Sequence, residues 1–506
     1  MFTFMVVYDL PFLVFHPNLV SFWCSFPSYL KTNSIAAGTD DGSEQWGYVE
    51  VRPQAHMFWW LYRSPNRVED PSNPWPILLW LQGGPGGSGV GFGNFLEIGP
   101  LDGNLNPRNS TWLLKADLLF VDNPVGTGFS YVEDENLAVK TDEEAATDLT
   151  TLLKELFNGN ESLQKSPLFI FGESYGGKFV VTLAVSALKA IQAGELKLQL
   201  GGVALGNSWI SPEDFVFSWG PLLKDVSRID NNGLNESISL AQVIQQQLAE
   251  GKYEDATNTW SDLEGVVLDS SNNVVSLSLF MCVCVCVCVC VCVSMAVRIL
   301  DQLSGVLAML QNFYNFMLDS GTAIVQSEEQ KGLMAERYSK YLSTKMFLSS
   351  INGARTGDFA SLMNGPIKEK LKIIPNNVTW GGQGNIVFPA MTGDFMNPRI
   401  KEVDELLAQG INVTVYSGQL DLICATKGAE AWMNKLQWDG LKNYLSSDRT
   451  PLYCGGDDTI TKGFVSSYKN LFFYWILGAG HFVPVEQPCV SLQMAGSITR
   501  SPNSSP

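Results

Sequence analysis

The run Leu168-Phe169-Ile170-Phe171 leads straight into Gly172-Glu173-Ser174-Tyr175-Gly176-Gly177. Four apolar residues in succession read as a buried strand. Gly-x-Ser-x-Gly after such a strand is a tight turn into a helix, which lifts the serine hydroxyl above the sheet edge. Glycines are needed there because the turn is sharp and the following helix packs close to the strand. Taken alone, the pentapeptide also fits an ordinary turn; the apolar run before it favours the strand-to-helix elbow. The pattern therefore predicts a helix beginning just after Ser174 and running towards Gln192.

A serine hydroxyl is a weak nucleophile without a base. The chain has three histidines, His16, His56 and His481. His16 sits in an irregular terminus, and His56 lies among Met57, Phe58, Trp59 and Trp60, where a packed or surface role is expected. His481 follows Phe473-Tyr474-Trp475-Ile476-Leu477-Gly478-Ala479-Gly480, just past a strand end. An orienting carboxylate should fall between serine and histidine in this order of elements. Asn412-Val413-Thr414-Val415-Tyr416-Ser417-Gly418-Gln419-Leu420-Asp421 supplies a strand, a turn and Asp421. Asp394 and Asp404 compete, but neither follows so clear a strand. Trp80-Leu81-Gln82-Gly83-Gly84-Pro85-Gly86-Gly87-Ser88-Gly89 offers small residues whose amides can approach a reacting carbonyl. Gly84 N–H and Tyr175 N–H are the expected oxyanion donors. A phosphate loop is the rival reading, but no Gly-Lys-Ser/Thr follows.

These features imply the α/β-hydrolase fold: a mostly parallel central sheet with helices on both faces. Further strands are expected at Ile77–Gln82, Asp117–Asp122, Leu168–Phe171, Gly202–Leu205, Asn412–Tyr416 and Leu471–Leu477. Each is short and apolar, as strands covered on both faces should be. Thr141 or Asp142 can cap a helix to about Phe157, with Ala145, Leu149, Leu152, Leu153 and Leu156 on one buried face. The expected organisation is an atypical segment 1–44, core 45–210, a largely helical cap insertion 211–389, core 390–495 and a disordered tail 496–506.

Lys+Arg 33 against Asp+Glu 51 gives a net charge of −18, which disfavours binding to nucleic acid or anionic lipid. The 45% hydrophobic and 17% charged content fits a folded globular chain. Cys282, Cys284, Cys286, Cys288, Cys290 and Cys292 alternate with valine, the translation of a TG dinucleotide repeat. A metal-binding strand is the rival reading, but tetrahedral sites need turns between ligands. Cys24, Cys424, Cys454 and Cys489 remain, too scattered to read as a disulfide framework. Sequons at Asn109, Asn160, Asn235, Asn377, Asn412 and Asn503 suit a secretory route. The first thirty residues make a poor signal peptide, although Ser34-Ile35-Ala36-Ala37-Gly38 can serve as a small-residue cleavage site. A secreted or lysosomal location is expected, with no membrane span, no metal and no cofactor.

The loop Trp80–Ser88, Asp122-Asn123-Pro124-Val125-Gly126-Thr127-Gly128-Phe129-Ser130-Tyr131, Gly172–Gly177, Gly418–Cys424 and Gly478–Pro484 together resemble the serine carboxypeptidase family. Met57–Trp60, Met363–Pro366 and Lys372–Pro375 look like one branch of it. The resemblance covers about residues 45–274 and 312–495, so that about 275–311 looks inserted. It implies removal of the C-terminal residue from a peptide or protein. In the family an amide, a backbone N–H and two glutamic acids hold the substrate carboxylate. These correspond to Gln82, Gly83, Glu97 and Glu173, although most members carry Asn where this chain has Gln82. Carboxyls beside a substrate carboxylate cannot all ionise cheaply, so at least one should be protonated and the enzyme should work at acid pH. Cys424 reads as a small packing residue near the pocket. An esterase or acyltransferase with the same triad, and a non-catalytic binding protein, are the competing functions.

Overall fold

Every apolar run read as a strand forms one, within a residue or two of the expected ends: β4 (Ile77–Leu81), β5 (Asp117–Val121), β7 (Leu168–Glu173), β8 (Leu200–Gly206), β11 (Val413–Gly418) and β14 (Leu471–Ile476). Adjacent members of this set all pair in parallel, in the order β5-β4-β7-β8-β11-β14. The strands are mostly apolar because helices flank the sheet: β4, β5, β7 and β11 are buried along their whole length, and β8 and β14 keep two half-buried positions each. The computed structural model describes residues 34–68, 70, 72–272, 310–311, 313–317, 319–320, 357–381, 384–454 and 460–502. The first thirty residues, the Cys-Val run and Asn503 lie outside them.

Antiparallel strands extend both edges. At one edge stand β1 (Ser34–Gly38), β2 (Glu44–Arg52) and β3 (Ala55–Tyr62), with the short β6 (Tyr131–Val132) also on β3. At the other stand β12 (Thr450–Leu452) and β13 (Gly463–Tyr468). Ser34–Gly38, read as a cleavage site, is thus an edge strand paired in register with β2. A two-residue pair, β9 (Leu310–Gln311) and β10 (Asp319–Ser320), stands apart from the main sheet.

Helix α1 (Asp142–Asn158) begins where the capping pattern places it: the Thr141 hydroxyl accepts from Glu144 N at 3.2 Å. Asp142, Glu143 and Glu144 then face the positive end of the helix. Ala145, Leu149, Leu152 and Leu153 are buried as expected, while Leu156 is only half-buried. After a four-residue α2 (Glu161–Gln164), α3 (Gly176–Gln192) starts at the elbow and packs on β7, β8 and α1.

The stretch between β8 and β11 holds α4 (Pro212–Asp225), α5 (Asn231–Ala249) and α6 (Tyr253–Asn272), in keeping with a helical insertion. α5 and α6 form a hairpin, and Trp260 of α6 meets Phe395 at a ring separation of 4.7 Å. The helix Val387–Phe395 packs against α6 and leads back to the core. Cys454 and Cys489, left unpaired by the sequence reading, form a disulfide with Cα atoms 6.1 Å apart. It joins the stretch after β12 to the helix Pro488–Thr499.

Candidate active site

Ser174 occupies the left-handed region at φ 60°, a conformation costly for a residue with a Cβ and common where a turn serves chemistry. It is held by Ser174 N donating to Gly206 O at 3.0 Å and by Trp209 N donating to Ser174 O at 2.9 Å. Gly83 lies against this elbow so closely that a Cβ there would stand 2.6 Å from Ser174 Cβ and 2.8 Å from Tyr175 N. The Gly-rich loop and the residue after the serine are therefore neighbours, as paired oxyanion donors must be. Among the described residues, neither Gly84 N–H nor Tyr175 N–H is taken up by the turn hydrogen bonds around it.

Asp421 and His481 meet at the ends of adjacent strands β11 and β14. His481 Nδ1 lies 2.8 Å from Asp421 Oδ2, and both side chains are buried. The pairing leaves Nε2 as the nitrogen free to exchange a proton with a hydroxyl. His481 N also donates to Tyr314 O at 2.7 Å, which fixes the loop. Ser174, at the end of β7, comes from the same edge of the sheet. Among the described residues its hydroxyl makes no hydrogen bond; contacts between a serine and its base often tighten only in the reacting complex.

One contributor escaped the sequence reading. Asn207, just past β8, donates from Nδ2 to Asp421 Oδ2 at 2.6 Å and accepts from Gly418 N at 3.2 Å. Its signal was available: a polar residue directly after a buried parallel strand sits where such sheets collect their functional groups.

The residues implied for carboxylate binding also converge. Trp80 Nε1 donates to Gln82 Oε1 at 2.7 Å, which turns Gln82 Nε2 towards Glu173 Oε1 at 3.0 Å. The longer Gln thus reaches Glu173. Glu97 lies in a buried π-helical stretch, Gly89–Ile98, whose turn is fastened by Arg108 donating to Phe95 O at 2.6 Å and Gly99 O at 3.1 Å. Without the resemblance Glu97 would read as a surface residue; it is 1% exposed. Burial pushes its carboxyl up to about 7, eased by nearby Glu173 and Gln82. Glu173 is held well above the usual carboxylate range, by burial first and then by Glu97. Two such carboxyls at close range retain a proton at acidic and near-neutral pH.

The rivals have other duties. Asp394 accepts from Arg399 Nη2 at 2.7 Å and from Asp142 N at 2.8 Å, and Asp404 accepts from Gln437 N and Trp438 N. His56 stands far along the sheet, 3.0 Å from Glu133 and stacked on Tyr131. Cys424 is a buried free thiol whose sulfur lies within 4.8 Å of the Asp421 and His481 ligand atoms.

A buried ionic cluster grips Tyr175. Its hydroxyl donates to Asp142 Oδ1 at 2.8 Å and accepts from Lys178 Nζ at 3.1 Å. Asp142 Oδ2 accepts from Arg399 Nε at 2.8 Å, and Lys178 also donates to Asp394 O at 2.7 Å. The Tyr175 ring stacks on Phe395 with centroids 5.6 Å apart.

The family model described as serine carboxypeptidase matches residues 36–501. The chain is 55% identical over 481 residues to serine carboxypeptidase-like 51 of Arabidopsis thaliana, covering 93% of this chain and 95% of that protein. It is 42% identical over 486 residues to the retinoid-inducible serine carboxypeptidase of Mus musculus, covering 95% and 98%. Among solved structures, Kex1(delta)p, a prohormone-processing carboxypeptidase from Saccharomyces cerevisiae, superposes with a TM-score of 0.65 at 22% identity, covering 90% of this chain and 91% of its own. That last likeness speaks for the fold alone. The chain belongs to the serine carboxypeptidase family.

Proposed function

We propose that the protein releases C-terminal residues from peptides and proteins at acid pH, with Ser174 as nucleophile, His481 as base and Asp421 as its orienting acid. Ser174 Oγ attacks the last peptide carbonyl while His481 Nε2 takes its proton. Negative charge then gathers on the carbonyl oxygen beside the Gly84 and Tyr175 amides. Collapse breaks the C–N bond, His481 returns the proton to the leaving amine, and an acyl-enzyme remains. Water, activated by the same imidazole, attacks the ester carbon and restores Ser174. Asp421 holds the neutral tautomer and stabilises the imidazolium that forms.

The observation that carries the exopeptidase reading is the buried carboxyl pair Glu97–Glu173 tied to Gln82 beside the elbow. A protonated pair can donate hydrogen bonds to a peptide's terminal carboxylate, assisted by Gln82 and Gly83 N–H. An internal peptide bond offers no such group. A fluorophosphonate should label the protein and fail on Ser174→Ala. Comparing a blocked dipeptide with its C-terminal amide tests the substrate class: strong preference for the free acid supports the reading. Equal turnover of the two points to an esterase or acyltransferase instead, and absent labelling points to a binding protein.

A secreted or lysosomal location completes the proposal. It is supported by the Cys454–Cys489 disulfide, a bond at home in oxidising compartments, and by the exposed sequons Asn109, Asn235 and Asn377. Asn160 and Asn412 are half-buried, and Asn412 Nδ2 already donates to Gly201 O at 3.3 Å. Glycans are therefore expected at Asn109 and Asn377 before Asn412.

A further inference from the structure

Glu173, Gly206 and Tyr416 occupy one row of the sheet. Glu173 is in register with Gly206 across β7 and β8, and Gly206 with Tyr416 across β8 and β11. Residues in register on parallel neighbours project to the same face. Gly206 has no side chain to separate the outer two, and the position its Cβ would take is filled by the ring and hydroxyl of Tyr416. The phenol therefore leans across Gly206 towards Glu173.

Both partners are fully buried, and both are short of a hydrogen bond. Among the described residues, neither the Tyr416 hydroxyl nor Glu173 Oε2 has a partner, while Glu173 Oε1 accepts from Gln82. Buried polar groups are rarely left this way without a functional reason. Burial, then Glu173 and Glu97, holds the phenol well above its ordinary range, so it stays protonated and able to donate.

We propose that the Tyr416 hydroxyl is a third hydrogen-bonding group of the carboxylate-recognition site, donating to Oε2 of Glu173 when substrate is bound. The proposal rests on the reading of Glu97 and Glu173 given above. In that arrangement Gln82 holds one oxygen of Glu173 and Tyr416 the other, which fixes the plane of the carboxyl facing the substrate. The other titratable groups around Glu173 are Glu97 (with Arg108 behind it), Asp421, Cys424 and His481. A donor favours the ionised form of a carboxyl. Its removal therefore moves the loss of carboxylate binding to higher pH.

The test is Tyr416→Phe, followed through kcat and KM against pH with a blocked dipeptide and its C-terminal amide. Expected are a KM for the acid raised about tenfold at low pH, the effect of one such hydrogen bond, and a smaller change in kcat. The alkaline limb of kcat, which reports groups in the substrate-bound enzyme, should move upward, and turnover of the amide should change far less. An unmoved KM and limb, in a variant that still labels normally at Ser174, would overturn the role of Tyr416. Should that variant fail to fold, Tyr416→3-fluorotyrosine keeps the shape with a more acidic phenol. The limb then moves downward if the proposal holds and stays put if it fails. Should the unsubstituted enzyme show no preference for the acid and no alkaline limb, the Glu97–Glu173 reading itself falls, and the proposal with it.

Discussion

Asn207 donates to the same carboxylate oxygen, Asp421 Oδ2, that receives His481 Nδ1, at 2.6 Å and 2.8 Å. The oxygen is thus fixed from two sides, while Gly418 N holds the Asn207 amide the right way round. Asn207→Ala should free the carboxylate to rotate away from the imidazole. A hydrogen bond to a charged group contributes about 1.5–3 kcal/mol, so kcat should fall about 10- to 100-fold. KM should change little, because Asn207 is buried and both ends of its amide are already engaged, by Asp421 and Gly418. Steady-state kinetics and the rate of fluorophosphonate labelling would show it; an unchanged kcat would make Asn207 merely structural.

The carboxyl pair sets a pH dependence whose sign follows from its raised protonation range. Glu97 is held at about 7 and Glu173 well above its ordinary range, against 4.5 for a free glutamate. Below that range the pair is protonated and can donate to a substrate carboxylate; above it, negative charge repels the substrate. The kcat/KM for a peptide acid should therefore decline as pH rises through about 7, chiefly through KM. Glu97→Gln, neutral at every pH, should remove most of the decline. A profile flat from about pH 4.5 to 8 would contradict the assignment. Linkage has the same sign: the unfolded chain ionises these groups near 4.5, so their contribution to stability is complete below that value. It is lost as pH rises towards 7.

Arg399 is the hub of the cluster beneath Tyr175, bonded to Asp142, Asp394 and Glu143 while only 3% exposed. Arg399→Met would leave Asp142 and Asp394 buried with Lys178 as their remaining cation. Breaking a buried pair from one side costs about 3–5 kcal/mol. Denaturant unfolding should register that loss. Because Tyr175 would be less firmly held, kcat should drop in the fraction that stays folded. A variant as stable as the parent would show the cluster to be replaceable.

Cys454 and Cys489 are 35 residues apart, and the loop they close limits the unfolded chain. On the chain-entropy model such a crosslink stabilises by about 3–4 kcal/mol. Cys454→Ser, or reduction, should lower the thermal midpoint while leaving KM for small peptides unchanged, since the bond ties down the stretch after the edge strand β12. A midpoint unaffected by dithiothreitol would argue that the disulfide does not form in the mature protein.

Much of this architecture was legible in the chain. Ile77–Leu81 and Leu168–Phe171 are apolar without interruption because both faces of a central strand are covered. Helix α3 begins at the elbow because Gly176 and Gly177 admit close packing on the strand. The antiparallel edges were missed. β2 mixes buried and half-buried positions and β13 adds an exposed one, and such half-covered strands resemble loops until a partner is known. Of the site, Ser174 was marked by local pattern, and Asp421 and His481 by their place after strands. Glu97 was visible only through likeness to a family, since a lone carboxylate in an apolar segment normally turns outward and here does not.

Local order along the chain determined which segments become strands, which serine stands on the elbow, and the sequence in which nucleophile, acid and base appear. Those outcomes follow from side-chain polarity and turn geometry within a few residues. Tertiary structure alone decided that Asn207 meets Asp421 across 214 residues, that Cys454 finds Cys489, and that Tyr416 leans over Gly206. Each depends on which strands lie side by side and in what register. That choice belongs to the whole sheet, because a parallel neighbour is fixed by distant crossovers and common burial.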